Sequence, residues 1–126
     1  MAKQIYHAHD KLFRQAMQDL RVAKDYLANH LPPALQQRVQ WSTLQLENTT
    51  FVEETYKASE ADLVYRIQLD NQALAYLTVV CEHQSTPDAW MALRLLQYQL
   101  RVLEHAHQQN PKAPLPLVYP LVIYSG

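Results

Sequence analysis

The chain has 126 residues, which is enough for one domain with its own hydrophobic core and no help from a disulfide or a metal. Its 11 basic and 12 acidic residues give a net charge of -1, which argues against a protein that coats nucleic acid through charge alone. Only one glycine is present, Gly126, so the glycine-rich phosphate loops of P-loop and dinucleotide-binding folds are excluded.

The first predicted element is a helix that Asp10 can cap. Its apolar residues recur at helical spacing as far as Leu27, and the helix ends before Pro32, because the residue before a proline avoids the α region. A short helical turn is predicted at residues 34–39, and a strand of alternating character begins at Thr43.

The middle of the chain predicts a β-hairpin. Residues 62–69 alternate polar or small side chains with large apolar ones, and Asp70-Asn71 is a turn signal. Residues 73–81 are rich in β-branched and aromatic side chains, which favours a mostly buried strand.

A second long helix is predicted to begin at Thr86-Pro87, with threonine as the cap and proline in the first turn. Four leucines along this helix are predicted to face the core: Leu93, Leu96, Leu100 and Leu103. A last strand at residues 117–124 contains Pro120, which predicts an edge or irregular strand. The order α-β-β-β-α-β predicts an α/β fold with a central mixed sheet flanked by helices.

Location and domain organisation follow from the same features. The single cysteine, Cys81, cannot form an internal disulfide, which is typical of a reducing compartment. No signal peptide and no run of about 18 apolar residues is present, so we expect a cytoplasmic protein with no membrane partner. We expect residues 1–126 to form a single domain. Because the sequence stops directly after an apolar strand, we also expect it to be the N-terminal part of a longer protein.

Acidic residues stand at the adjoining ends of the two hairpin strands. Residues directly opposite each other in an antiparallel pair point to the same face. Asp62 lies opposite Glu82 in one register, and opposite Val80, diagonal to Glu82, in a second. A tight two-residue turn would place Asp62 opposite Val79 and separate the carboxylates. Two of the three registers therefore make the carboxylates neighbours, although a strand-end acid is more often a solvated residue.

These residues have the chemistry of a metal site. Hard cations such as Mg²⁺ or Mn²⁺ prefer oxygen ligands, usually one or two carboxylates with waters and substrate phosphate. Asp62 and Glu82 can supply them, with the backbone carbonyl of His83 as a third ligand. Gln84 shares a strand face with Glu82 and can orient a water, but its neutral amide cannot act as a general base. The pattern predicts a metal site that hydrolyses phosphodiesters.

In order and spacing, several segments resemble the recombination-promoting nuclease family, also called YhgA-like transposases, within the PD-(D/E)XK nuclease superfamily. The resemblance covers essentially the whole chain. The matching segments are HDKLFR at 9–14, HLP at 30–32, DLVY at 62–65, EHQSTPD at 82–88, MALRLLQY at 91–98 and PLVIYSG at 120–126.

The resemblance implies a metal-dependent DNA endonuclease that promotes recombination in bacteria, with a PD-(D/E)XK, restriction-endonuclease-like core. It implies Mg²⁺ or Mn²⁺ as the cofactor and DNA as the partner. Asp62 and Glu82 become the acidic ligands, and Gln84 stands where the general superfamily pattern has lysine, a replacement common in this family. Asp10 is either an accessory acid from the first helix or simply a helix cap.

Two further expectations concern partners and activity. Nucleases that cut both strands often work as dimers, so a homodimer is expected. Candidate phosphate contacts are Lys57, Arg66 and Arg94. The alternative to an enzyme is a catalytically degenerate module of the same fold, which binds DNA or associates with itself. The net charge of -1 and the missing lysine favour that alternative.

Overall fold

The structure is a computed structural model, and it describes residues 12–47, 63–83 and 89–125. The described elements are α1 (Leu20–His30), α2 (Pro33–Gln36), β1 (Val39–Leu46), β2 (Leu63–Leu69), β3 (Leu74–His83), α3 (Met91–Gln109) and β4 (Leu117–Ser125). The predicted α/β class is therefore confirmed.

The four strands form one mixed sheet in the order β1-β2-β3-β4. Strand β2 is antiparallel to β1 and β3, whereas β4 is parallel to β3 and follows α3 in the chain. Strand β4 lies at an edge of the described sheet, as Pro120 predicts, because proline has no N–H to donate to a ladder. Helices α1 and α3 pack on opposite faces, which confirms the mixed sheet flanked by helices.

The larger hydrophobic core lies between the sheet and α1, on what we call the α1 face. Its sheet residues occupy odd-numbered positions of the strands: Leu63, Tyr65, Ile67, Leu69, Ala75, Leu77, Val79 and Leu121. Ala23 and Leu27 of α1 pack against them. The smaller core lies on the opposite α3 face, where Val64 and Tyr76 of the sheet meet residues of α3.

The first helical region is interrupted, so the prediction of one continuous helix is wrong. Residues 12–17 are helical, and α1 begins after Asp19, whose carboxylate accepts the Arg21 N–H at 2.9 Å. This hydrogen bond holds the pKa of Asp19 below its usual value. In a continuous helix the Met17 carbonyl would accept from that same N–H. It accepts instead from the Tyr65 hydroxyl at 2.6 Å, so both groups freed by the break have partners.

Strand β1 begins at Val39, earlier than the predicted start at Thr43. Its register against β2 shifts between Gln40 and Gln45. Within this irregularity the Thr43 hydroxyl accepts from the Gln68 N–H at 2.9 Å and donates to the Gln40 carbonyl at 2.6 Å. The hydroxyl thus replaces ladder bonds, and the shift interrupts the alternation that reveals a strand in sequence.

Helix α3 packs on the sheet through Tyr98 and Val102, which are buried. Leu93, Leu96 and Leu100 are 46%, 62% and 51% exposed, so the prediction that they face the core is wrong. The helix carries two apolar stripes, and only the stripe with Tyr98 and Val102 meets the sheet. Neither α3 nor any other helix within the described ranges is long and apolar enough to cross a membrane.

Candidate functional site

Two of the predicted site residues end strand β3. The backbones of Glu82 and His83 pair with Tyr124 and Ser125 of β4. Three other predicted residues lie outside the described part of the chain: Asp10, Asp62 and Gln84. The metal ligands and the catalytic roles therefore stay predictions. The described residues show only the strand that carries Glu82 and His83.

The hairpin register decides which residues can meet at the end of β3. Strand β2 pairs Leu63 with Val79 and keeps this register along the described ladder. It is the second of the three registers considered from the sequence. The turn contains Gln72 in the left-handed region, at a φ of 69°, and the Leu69 N–H donates to the Ala73 carbonyl at 2.8 Å. The tight two-residue turn, which would separate the carboxylates, is therefore excluded.

Even-numbered positions of β3 lead along the α3 face toward the strand end. Tyr76, Thr78 and Val80 are all buried, and Glu82 occupies the next even-numbered position of the strand. Because alternate residues of a strand share a face, Tyr76, Thr78 and Val80 belong to the side of the sheet that α3 covers. The strand is thus anchored by packing as far as Val80.

Pairing changes along β3 as the strand approaches its end. Within the described residues, the ladder to β2 ends at the pair Leu63–Val79. The ladder to β4 continues to the pair His83–Ser125. In this part of the structure, the segment of β3 that contains Glu82 is held by β4 alone.

A metal site would need several ligands close together. Among the residues whose side chains the structure describes, which exclude 81–83, no group of three or more His, Cys, Asp or Glu could hold a metal ion. The predicted site therefore depends on Asp62, outside the described residues, acting together with Glu82. Two carboxylates and the carbonyl of His83 have the all-oxygen chemistry that suits a hard divalent cation.

Arg66, a candidate phosphate contact, is ion-paired within the sheet. Its Nε lies 3.1 Å from Oε1 of Glu47, and its guanidinium also donates to the side chain of Gln45. Burial raises the pKa of the nearby Tyr76 hydroxyl, and the negative charge of Glu47 adds to that rise. Because Glu47 balances the charge of Arg66, the attraction of Arg66 for a phosphate is weaker. Lys57 lies outside the described residues.

A groove of about 820 Å³ beside the hairpin turn was not predicted from the sequence. It lies between the hairpin, the C-terminal part of α3 and the segment that precedes β4. Its lining includes Glu47, Arg66, Tyr76, His107, Leu115 and Leu117. These residues come from separate parts of the chain and form no local motif, so pattern analysis could not find the groove.

Comparisons with known proteins agree with the resemblance drawn from the sequence. The family model described as "Putative transposase, YhgA-like" matches residues 7–126. Recombination-promoting nuclease RpnC of Escherichia coli (strain K12) is 38% identical over 118 residues, which are 94% of this chain and 39% of RpnC. Recombination-promoting nuclease RpnD of Escherichia coli O157:H7 is 34% identical over 118 residues, which are 94% of this chain and 45% of RpnD.

Not every similar protein is named as an active nuclease. The protein named "Inactive recombination-promoting nuclease-like protein RpnE", from Escherichia coli (strain K12), is 34% identical over 118 residues, which are 94% of this chain and 39% of RpnE. The chain spans less than half the length of each of these three curated relatives. No solved structure matches the chain.

Proposed function

Because the chain belongs to the YhgA-like transposase family, we propose that it is the catalytic domain of a metal-dependent DNA endonuclease that promotes recombination. The names of RpnC and RpnD support nuclease chemistry. A mixed sheet flanked by helices is compatible with a PD-(D/E)XK core. The proposed reaction is phosphodiester hydrolysis, since two carboxylates and a hard cation supply that chemistry.

The hairpin register is the observation that supports this proposal most directly. Leu63 pairs with Val79, in one of the two registers expected to make the carboxylates neighbours. If the ladder continued by one position in this register, Asp62 would lie opposite Val80 and diagonal to Glu82. Diagonal neighbours across an antiparallel pair are about 7–8 Å apart, within the span that two ligands of one ion can bridge.

In the proposed site, Asp62 and Glu82 hold Mg²⁺ or Mn²⁺, and the His83 carbonyl completes the protein ligands. When bound, the ion supplies a water of lowered pKa and offsets the negative charge that develops on the phosphodiester. Gln84 orients that water through its amide, without taking a proton. Asp10 is proposed as an accessory acid of the same site.

Cleavage of supercoiled plasmid, in Mg²⁺ or Mn²⁺ and in chelator, tests the proposal. The chain is expected to nick the plasmid only with metal. Asp62→Asn should lower the rate by more than the roughly 10–100-fold that loss of an outer-shell partner costs. The matched control is Asp70→Asn. Asp70 follows β2 directly and is exposed at the hairpin turn, with its carboxylate 3.4 Å from Nε of Arg38.

The control variant is expected to nick at the wild-type rate, with an unchanged circular dichroism spectrum. Retained nicking in a folded Asp62→Asn variant would show that Asp62 is not a ligand. Equal loss in both variants would show that the effect is general to carboxylates at the ends of β2, and would also count against the assignment.

The second candidate function is a degenerate module of the same fold, which binds DNA or associates with itself. The name of RpnE supports this candidate, and so does the uncharged Gln84. It predicts no nicking by the wild-type chain and no heat of Mn²⁺ binding in calorimetry. Nicking that appears only in Gln84→Lys would identify this position as the cause.

A further inference from the structure

Helix α3 presents a row of leucines to solvent, and we call Leu93, Leu96, Leu100 and Leu103 the leucine seam. The first three are 46%, 62% and 51% exposed, and Leu103 is half-buried. Isolated exposed leucines are common on protein surfaces, whereas three exposed leucines beside a half-buried fourth along one helix favour an interaction site.

The leucine seam lies opposite the side of α3 that packs on the sheet. At 100° per residue, Leu93 and Leu100 are about 180° from the direction set by Tyr98 and Val102, which are buried in the smaller core. The sheet therefore cannot cover the seam. A helix that is apolar on two opposite sides needs a second partner on the outer one.

We propose that the leucine seam is the contact between two copies of this chain, with their α3 helices packed antiparallel about a two-fold axis. The leucines are spaced by three, four and three residues, which is the a/d spacing of helices that pack against each other. In an antiparallel pair, Leu96 of each copy lies beside Leu100 of the other, and Leu93 beside Leu103. The seam is therefore complementary to itself, as an isologous interface requires.

The charges that border the seam favour a second copy over other partners. Arg101 and Glu104 pair with each other, with Nη1 and Oε2 2.9 Å apart, and Gln97 and Gln99 are uncharged. Arg94 is the remaining charged residue of α3, so two arginines and one glutamate leave this helix with one net positive charge. An excess of one charge is too small to attract DNA or an acidic peptide through charge alone, and it repels an identical surface only weakly.

The size of the seam sets the expected strength of the contact. From Leu93 to Leu103 the seam is about 15 Å long at 1.5 Å per residue. Two such seams with their borders bury on the order of 1,000 Å² in total, close to the lower limit for a specific interface. A dimer with a micromolar dissociation constant is therefore expected. The contact does not depend on the proposed nuclease chemistry.

Sedimentation equilibrium of the chain between about 1 and 200 μM tests this inference. The wild-type chain is expected to form dimers reversibly over this range. Leu96→Glu and Leu100→Glu should each weaken the dimer at least 10-fold, because each places two glutamates in an apolar contact. The matched control is Leu115→Glu, since Leu115 is 62% exposed, the same as Leu96, but lies outside α3.

Because both seam positions are exposed, the variants should keep the wild-type melting temperature at about 1 μM, where little dimer is present. Circular dichroism checks this. Wild-type chain that stays monomeric at all concentrations would overturn the proposal. A dimer that persists in both seam variants, or that Leu115→Glu disrupts equally, would place the contact elsewhere and would also overturn it. If Asp62→Asn loses plasmid nicking but still forms the dimer, this supports a dimer contact that is independent of the active site.

Discussion

The two faces of the sheet are packed to different extents. On the α1 face, aliphatic residues of β2, β3 and β4 form one continuous core with α1 and with Met17. On the α3 face, the buried cluster is small and partly aromatic, and it is joined by the ion-paired Arg66 and the buried Thr78. We therefore expect the α1 face to supply the larger share of the folding free energy. The less extensively packed α3 face leaves room for a groove.

Truncating one buried side chain on each face tests this difference in stability most directly. Val79→Ala, on the α1 face, should lower the free energy of unfolding by about 2.5 kcal/mol, because it leaves a cavity in a closely packed core. Val102→Ala, on the α3 face, should cost about 1.5 kcal/mol. Urea denaturation followed by circular dichroism measures both values. Equal costs, or a larger cost for Val102→Ala, would contradict the assignment of stability to the α1 face.

A smaller effect is expected from removing a single hydrogen bond on the α1 face. Tyr65→Phe deletes the hydroxyl that donates to the Met17 carbonyl and leaves that carbonyl without this partner, at a cost of about 1–2 kcal/mol. Tyr76→Phe, on the α3 face, serves as the comparison and should cost less, since the residue borders the open groove.

The burial of Tyr65 also leads to a prediction about the pH dependence of stability. Burial raises the pKa of Tyr65, so its neutral form is favoured in the folded state. An unfolded tyrosine ionises near pH 10, so the unfolded state binds fewer protons above that pH and stability falls as pH rises. The unfolding free energy of Tyr65→Phe should fall less steeply between about pH 10 and 11 than that of the wild type. An identical slope would show that Tyr65 does not carry this dependence.

The smallest expected effect lies at the hairpin turn, which belongs to neither core. Gln72 has a φ of 69°, a conformation that glycine adopts without the strain a side chain causes. Gln72→Gly should raise the free energy of unfolding by about 0.5–1 kcal/mol. Gln72→Ala keeps the Cβ and should leave stability nearly unchanged. A gain in Gln72→Ala as large as in Gln72→Gly would show that the backbone conformation is not the cause.

The hairpin illustrates what the sequence could predict of the fold. The alternation in residues 62–69 and the Asp70-Asn71 turn signal were enough to predict two paired strands, which the structure confirms. The register could not be chosen among three, because it depends on the left-handed conformation of Gln72, a residue type that does not signal it. The start of β1 was missed for a related reason, since the Thr43 hydroxyl replaces ladder bonds where the alternation stops.

In helix α3 the sequence pattern was clear, but the interpretation drawn from it was wrong. Its leucines have helical spacing, and spacing alone assigned them to the core, but Tyr98 and Val102 occupy the side that meets the sheet. Periodicity identifies stripes and not the partner that each stripe contacts, and only tertiary packing distinguishes the two stripes of this helix. For the candidate site, the structure supplies the strand that ends in Glu82, whereas the roles of Asp62 and Gln84 remain predictions.

The parallel pairing of β3 with β4 has a consequence for the order of events during synthesis. Glu82 pairs with Tyr124, a partner that leaves the ribosome only after the whole of α3 has been made. Until then, β3 lacks its β4 partner along its whole length. Within the described residues, the part of β3 beyond Val79 also has no partner in β2. The hairpin and α1 can assemble earlier, because all of their residues precede α3 in the chain. We therefore expect a nascent chain to pack α1 against the hairpin before the end of β3 that carries Glu82 gains its partner strand.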